Sequence, residues 1–128
     1  MTEKELFDYI KQHIPDLEVS QKTTDRYDCS SKEAKLYIEL KCRSKHYDTL
    51  LLEYKKYDHL VTKATELGYE PWYINKTPNG IYAFKLHSDS SKYEWTEDML
   101  PATSTFGNGN KILKKVTYLD VSNAGDLI

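Results

Sequence analysis

Eight residues, Leu36-Tyr37-Ile38-Glu39-Leu40-Lys41-Cys42-Arg43, constrain this chain more than any other stretch. Leu36, Ile38, Leu40 and Cys42 alternate with Tyr37, Glu39, Lys41 and Arg43. A period of two over this length predicts a β-strand with one buried face and one polar face. On the polar face a carboxylate and an ammonium stand two residues apart, about 7 Å along the strand. Both point the same way, so a third species can sit between them.

The motif alone decides little. Glu-x-Lys recurs at Glu33/Lys35, Glu39/Lys41 and Glu53/Lys55. With 20 acidic and 18 basic side chains in 128 residues, about two or three acid-x-Lys pairs arise by chance. Context separates the copies. Only Glu39/Lys41 lies in an alternating apolar run, and only it follows an extended Arg26-Tyr27-Asp28 across a turn, Ser30 to Lys35. A hairpin symmetric about that turn sets Asp28 opposite Glu39, with Cβ atoms about 5 Å apart. Two like charges so placed destabilise a sheet, and a cation between them relieves the repulsion. Asp25 is the alternative upstream acid.

A length of 128 residues favours one domain, able to bury about two-thirds of its unfolded surface. The net charge of -2 excludes a globally basic nucleic-acid binder, so such a site would be a local patch. The two cysteines and the lack of a long apolar run predict a reduced, cytoplasmic setting and no membrane partner. The four histidines have no zinc spacing. Most of the eleven tyrosines are expected in the core, although tyrosine also stacks on bases.

Along the chain, Thr2-Glu3-Lys4-Glu5 reads as a capping box. Leu6, Tyr9, Ile10, His13 and Ile14 follow at helical spacing, with His13 partly buried on the apolar edge and the helix ending near residue 14 at Pro15. Residues 16–24 hold an irregular strand at most. Leu50-Leu51-Leu52 reads equally as a short buried strand or a helix start. Tyr54, Tyr57, Leu60, Val61, Ala64 and Leu67 share one helical face, and Gly68 is a good stop. Lys55, Lys56, Asp58, Lys63 and Glu66 fall on the other, read as a solvated face. Residues 71–75 and 81–86 predict a hairpin about Pro78-Asn79-Gly80. Residues 95–100 predict a short helix stopped by Pro101, and 111–119 a last strand or an arm. Helix, strands, helix and hairpin in this order predict one α/β domain, a mixed sheet flanked by helices.

Asp28 and Glu39 are hard oxygen ligands suited to Mg²⁺ or Mn²⁺, with the Leu40 carbonyl as a further ligand. A metal there can activate water against a phosphodiester, and Lys41 can orient that water and neutralise developing charge.

Tyr27-Asp28, an eleven-position step, and Ile38-Glu39-Leu40-Lys41 together resemble the active-site signature of the PD-(D/E)XK nuclease superfamily. The order of elements over roughly residues 1–86 resembles that family's restriction endonuclease-like core. Tyr27 replaces the proline of the family's name, a substitution the family often tolerates. The resemblance implies a Mg²⁺- or Mn²⁺-dependent nuclease, in a bacterial or phage-infected cell, acting on nucleic acid, DNA being the family's commoner substrate. It implies Asp28 and Glu39 as metal ligands and Lys41 as the catalytic lysine. Some branches add an acid from the first helix, which Glu5 or Glu3 would supply, and others a charged residue on the next helix, where Lys56 or Glu53 sits. Lys111, Lys114 and Lys115, near Asn108 and Asn110, offer contacts to a nucleic-acid backbone; a charged strand edge explains them as well. Residues 1–128 thus read as one nuclease-like domain, with 87–128 a C-terminal extension beyond the resemblance. So small a chain has little surface for gripping a duplex, and a homodimer or partner subunit would supply the rest. The alternative is a non-catalytic module of the same fold that binds nucleic acid or a protein partner.

Overall fold

A computed structural model of the chain describes residues 1–23, 26–101 and 111–127. The elements run α1 (Glu3–Lys11), β1 (Glu18–Lys22), β2 (Tyr27–Ser31), β3 (Leu36–Cys42), β4 (Thr49–Glu53) and α2 (Tyr54–Leu67). Then follow β5 (Glu70–Thr77), β6 (Gly80–Lys85), β7 (Thr96–Pro101) and β8 (Lys111–Asp120), with single 3₁₀ turns at Ser90–Lys92 and Val121–Asn123. The alternating stretch is the middle strand of a five-stranded sheet of order β1-β2-β3-β5-β6. Only the β3/β5 pair is parallel, so the sheet is mixed, as expected. β4, β8 and β7 form a second, antiparallel sheet.

Helix α1 starts where the sequence says. Thr2 Oγ1 accepts from the Glu5 N–H at 3.2 Å, and Glu5 Oε1 accepts from the Thr2 N–H at 3.0 Å. The helix ends at Lys11, earlier than expected, and His13 lies exposed in the turn beyond it. Leu6, Phe7 and Ile10 press on Leu36, Ile38, Leu40 and Ile74, on one face of the sheet. Helix α2 covers the other face. Tyr57, Leu60 and Ala64 pack on Tyr37, Tyr73 and Phe84, joined by Leu50 and Leu52 of β4 and Leu119 of β8. Gly68 closes α2 at φ 72°, the left-handed conformation that a side chain resists.

Two-sided cover changes one expectation. Strand β3 was expected to have one solvated face. Instead Tyr37 is 3% and Glu39 2% exposed, because α2 lies over them. Only at Lys41 and Arg43 does that face become half-buried. Residues 50–52 are strand, not helix. Residues 96–101 are also strand, where a short helix was expected: β8 offers them a complete antiparallel ladder, from Thr96 opposite Val116 to Pro101 opposite Lys111. Tertiary pairing overrides a weak local preference there. No helix among the described residues is long and apolar enough to cross a membrane.

Candidate active site

The symmetric-turn register is the one that forms. Asp28 of β2 stands directly opposite Glu39 of β3. Asp28 is 0% exposed and Glu39 2%. One oxygen of each, Asp28 Oδ1 and Glu39 Oε1, is buried with no hydrogen-bond partner among the described residues. A buried carboxylate oxygen without a hydrogen bond is costly, so two of them on directly opposed residues is an unusual arrangement. The other Asp28 oxygen is held: Oδ2 accepts from the Tyr37 hydroxyl at 2.9 Å and lies 3.2 Å from His59 Nε2. Arg26 Nε stands 3.7 Å from Glu39 Oε1, a buried ion pair beyond hydrogen-bond reach, and makes no hydrogen bond of its own among the described residues.

These surroundings set the titration. Burial raises Glu39 from the usual carboxylate range to about 7, with Asp28 adding to the rise against the pull of Lys56, Arg26 and Lys41. Burial also raises Asp28, against the Tyr37 hydroxyl, Arg26 and His59. Lys41 is lowered by burial and then by Lys56 and Arg43, against Glu3 and Glu39. The two carboxylates and the amine therefore each lean toward the neutral form. A divalent cation would reverse that balance for the two acids, because its charge favours both carboxylates ionised. The two unpartnered oxygens, with the Leu40 carbonyl one residue on, fit the hard, oxygen-rich donor set that Mg²⁺ or Mn²⁺ takes, leaving positions for water and substrate. Among the described residues no group of three or more His, Cys, Asp or Glu side chains gathers as a metal cluster.

The remaining expected residues are placed as follows. Lys56, read as solvated, turns inward: its side chain is 13% exposed, 3.9 Å from Glu53. Glu5 is exposed and engaged in the capping box. Its neighbour Glu3 instead reaches β3, where Oε2 accepts from the Cys42 N–H at 2.9 Å. Lys114 is half-buried and bonds Glu53 at 2.7 Å, Lys115 lies 4.1 Å over the Tyr54 ring, and Lys111 is exposed at the start of β8. The three lysines thus do different things and form no single patch. Asp25, Asn108 and Asn110 lie outside the described residues. Several neighbours of the site were not anticipated. Arg26 comes to it from just before β2, Tyr37 from β3, Arg43 from just beyond β3, His59 from α2 and Asn75 from β5. A signal for one of them was present: Glu53, Lys56 and His59 recur at three-residue spacing, a polar stripe on one side of α2, and all three are half-buried.

The chain is similar in fold to Hjc of Archaeoglobus fulgidus, a Holliday junction resolvase from an archaeal hyperthermophile, with a TM-score of 0.57. Identity is 18%, over 96% of this chain and 88% of that one. At that identity the likeness is one of fold, a single small α/β domain with a mixed sheet. It runs past His87, into the part that the signature left out. No family model and no curated protein matches the sequence.

Proposed function

We propose that the protein is a divalent-metal-dependent nuclease that hydrolyses phosphodiester bonds in DNA. The observation that carries this reading is the pair of buried carboxylate oxygens of Asp28 and Glu39 that make no hydrogen bond among the described residues, on directly opposed residues of β2 and β3 with Lys41 two residues along. The resolvase fold supports the same reading. Asp28, Glu39 and the Leu40 carbonyl would hold Mg²⁺ or Mn²⁺. The ion, when bound, would supply an activated water and a counter-charge for the phosphate. Tyr37 and His59 fix the Asp28 carboxylate by its Oδ2, leaving Oδ1 directed elsewhere. Lys41 would hold the attacking water and neutralise charge that develops on the phosphate. Two copies of so small a domain on one DNA would extend the grip.

The test is to incubate the pure protein with linear, circular, single-stranded and four-way-junction DNA and Mg²⁺ or Mn²⁺, beside Lys41→Ala. Metal-dependent cleavage lost in the variant is the expected result; no cleavage of any substrate would sink the proposal. One observation favours a second reading, a binding module of nuclease fold. Arg26, Tyr37 and His59 already surround the two acids, as a structural charge network would. That reading expects salt-dependent DNA binding with no cleavage to lose.

A further inference from the structure

Beside the two acids lies a cavity of about 140 Å³ whose wall includes Lys41, Arg43, Lys56 and Lys114, with Glu53 as its one carboxylate. Its charged lining comes from β3, β4, α2 and β8. Lys41 comes from β3, Arg43 from just beyond it, Glu53 and Lys56 from the β4–α2 junction, and Lys114 from β8. Leu100 and Pro101 of β7 close one side. All four cations are partly buried, where like charges repel more strongly than in water.

Their partners are informative. Lys114 Nζ is 2.7 Å from Glu53 Oε1, and Lys56 Nζ is 3.9 Å from Glu53 Oε2. One carboxylate thus lies between two ammonium groups. Among the described residues the Arg43 guanidinium makes three hydrogen bonds, all to neutral acceptors: Asn75 Oδ1 at 2.7 Å, the Leu51 carbonyl at 2.7 Å and the Tyr73 hydroxyl at 3.1 Å. These fix the guanidinium plane and cancel none of its charge. They use Nε and Nη2, and Arg43 also lines the cavity. A fixed guanidinium with ammonium groups lining the same cavity suits a tetrahedral oxyanion. Asn75, 0% exposed, spends its carbonyl oxygen on holding Arg43, and its amide nitrogen is buried without a partner.

We propose that this cavity is a second phosphate subsite, which grips the phosphate adjoining the one at Asp28 and Glu39. The inference rests on the nuclease reading for what lies next door. Lys41 is the shared residue: it follows Glu39 by two positions on the same face of β3 and lines the cavity, so a strand passing the acids would bring its next phosphate here. Glu53 is the resident counter-anion, and an incoming phosphate competes with it for Lys114 and Lys56. The ligand is a phosphate oxyanion, either an internal diester or a terminal monoester.

The experiment reads binding without cleavage. A short fluorescent single-stranded oligonucleotide, unphosphorylated or carrying a 5′ or 3′ phosphate, is titrated in EDTA against wild type, Lys114→Gln, Lys114→Arg and Glu53→Gln, with inorganic phosphate as competitor. Lys114→Gln should weaken binding about tenfold and flatten the salt dependence by about one unit. Lys114→Arg should stay near wild type. Glu53→Gln should tighten binding about tenfold, because a competing charge is gone. A phosphorylated end that binds several-fold better assigns the monoester, and equal affinities assign the diester. Lys114→Gln within twofold of wild type, or Glu53→Gln binding more weakly, overturns the proposal. Should Lys114→Gln lose its cooperative melt, Glu53→Gln carries the test, since it removes no cation. Cleavage is assayed separately with Mg²⁺ or Mn²⁺. The expected binding pattern without cleavage would remove the nuclease and keep the subsite; cleavage with unchanged affinities would do the reverse.

Discussion

Replacing Glu39 with glutamine separates a site held ready for a metal from a structural ion pair. Burial raises the Glu39 carboxyl from 4.5 to about 7 in the folded protein. The unfolded chain therefore ionises this group first as pH rises, while the folded protein still binds the proton. Folding stability is fully present below about pH 4.5, falls through the window up to about 7, and stays low above it. At about 1.4 kcal/mol per unit, the penalty in metal-free protein reaches roughly 3 kcal/mol. Glutamine has the same shape and no charge to desolvate. We expect Glu39→Gln without metal to be more stable than wild type at pH 8, by up to about 3 kcal/mol, and to match it near pH 4. Urea unfolding in EDTA at the two pH values measures this. Adding Mg²⁺ should then stabilise wild type by mass action and leave the variant unmoved. The opposite result, a variant about 3–5 kcal/mol less stable at pH 8, is what a broken buried ion pair gives. It would make Glu39 the partner of Arg26 and refute the metal argument.

The other predictions concern single contacts. Lys41→Ala should lower metal-dependent cleavage about 10²- to 10⁴-fold while circular dichroism and melting stay close to wild type, since Lys41 sits where the strand leaves the core. Tyr37→Phe removes one of the two groups on Asp28 Oδ2; it should cost about 1 kcal/mol of stability and loosen Mg²⁺ affinity measured by calorimetry. Gly68→Ala forces a side chain into φ 72° at the end of α2 and should cost about 1 kcal/mol in urea unfolding without changing cleavage.

Much of the site's geometry was legible because it rests on local rules. Thr2 and Glu5 spell the cap, the turn before Lys35 sets the Asp28–Glu39 rung, and Gly68 ends α2. What escaped the sequence depends on long-range partners. Thr96–Pro101 pairs as a strand because β8 arrives beside it, and nothing within those six residues says so. Lys56 and His59 turn inward because the polar face of β3 lies beneath α2. A charged helix face has the same composition whether it meets water or a buried carboxylate pair. Burial of Glu39 was missed for the same reason: alternation tells which side chains share a face and is silent on what covers it.

The unpartnered buried atoms fall in one region. Arg26 Nε, Asp28 Oδ1, Glu39 Oε1 and Asn75 Nδ2 are such atoms among the described residues. They belong to β2, β3, β5 and the approach to β2, where Asp28 lies opposite Glu39 and Lys41 beside Asn75. On this side of the sheet the apolar packing of Tyr57, Leu60 and Ala64 gives way to the Glu53–Lys56–His59 stripe. A core built for stability alone would satisfy or replace such groups, because each unmade hydrogen bond costs about 1–3 kcal/mol. Their gathering around two opposed carboxylates and a half-buried lysine locates the fold's polar strain where a cation and a phosphate could relieve it. That coincidence of cost and chemistry is the physical case for placing the reaction on β3.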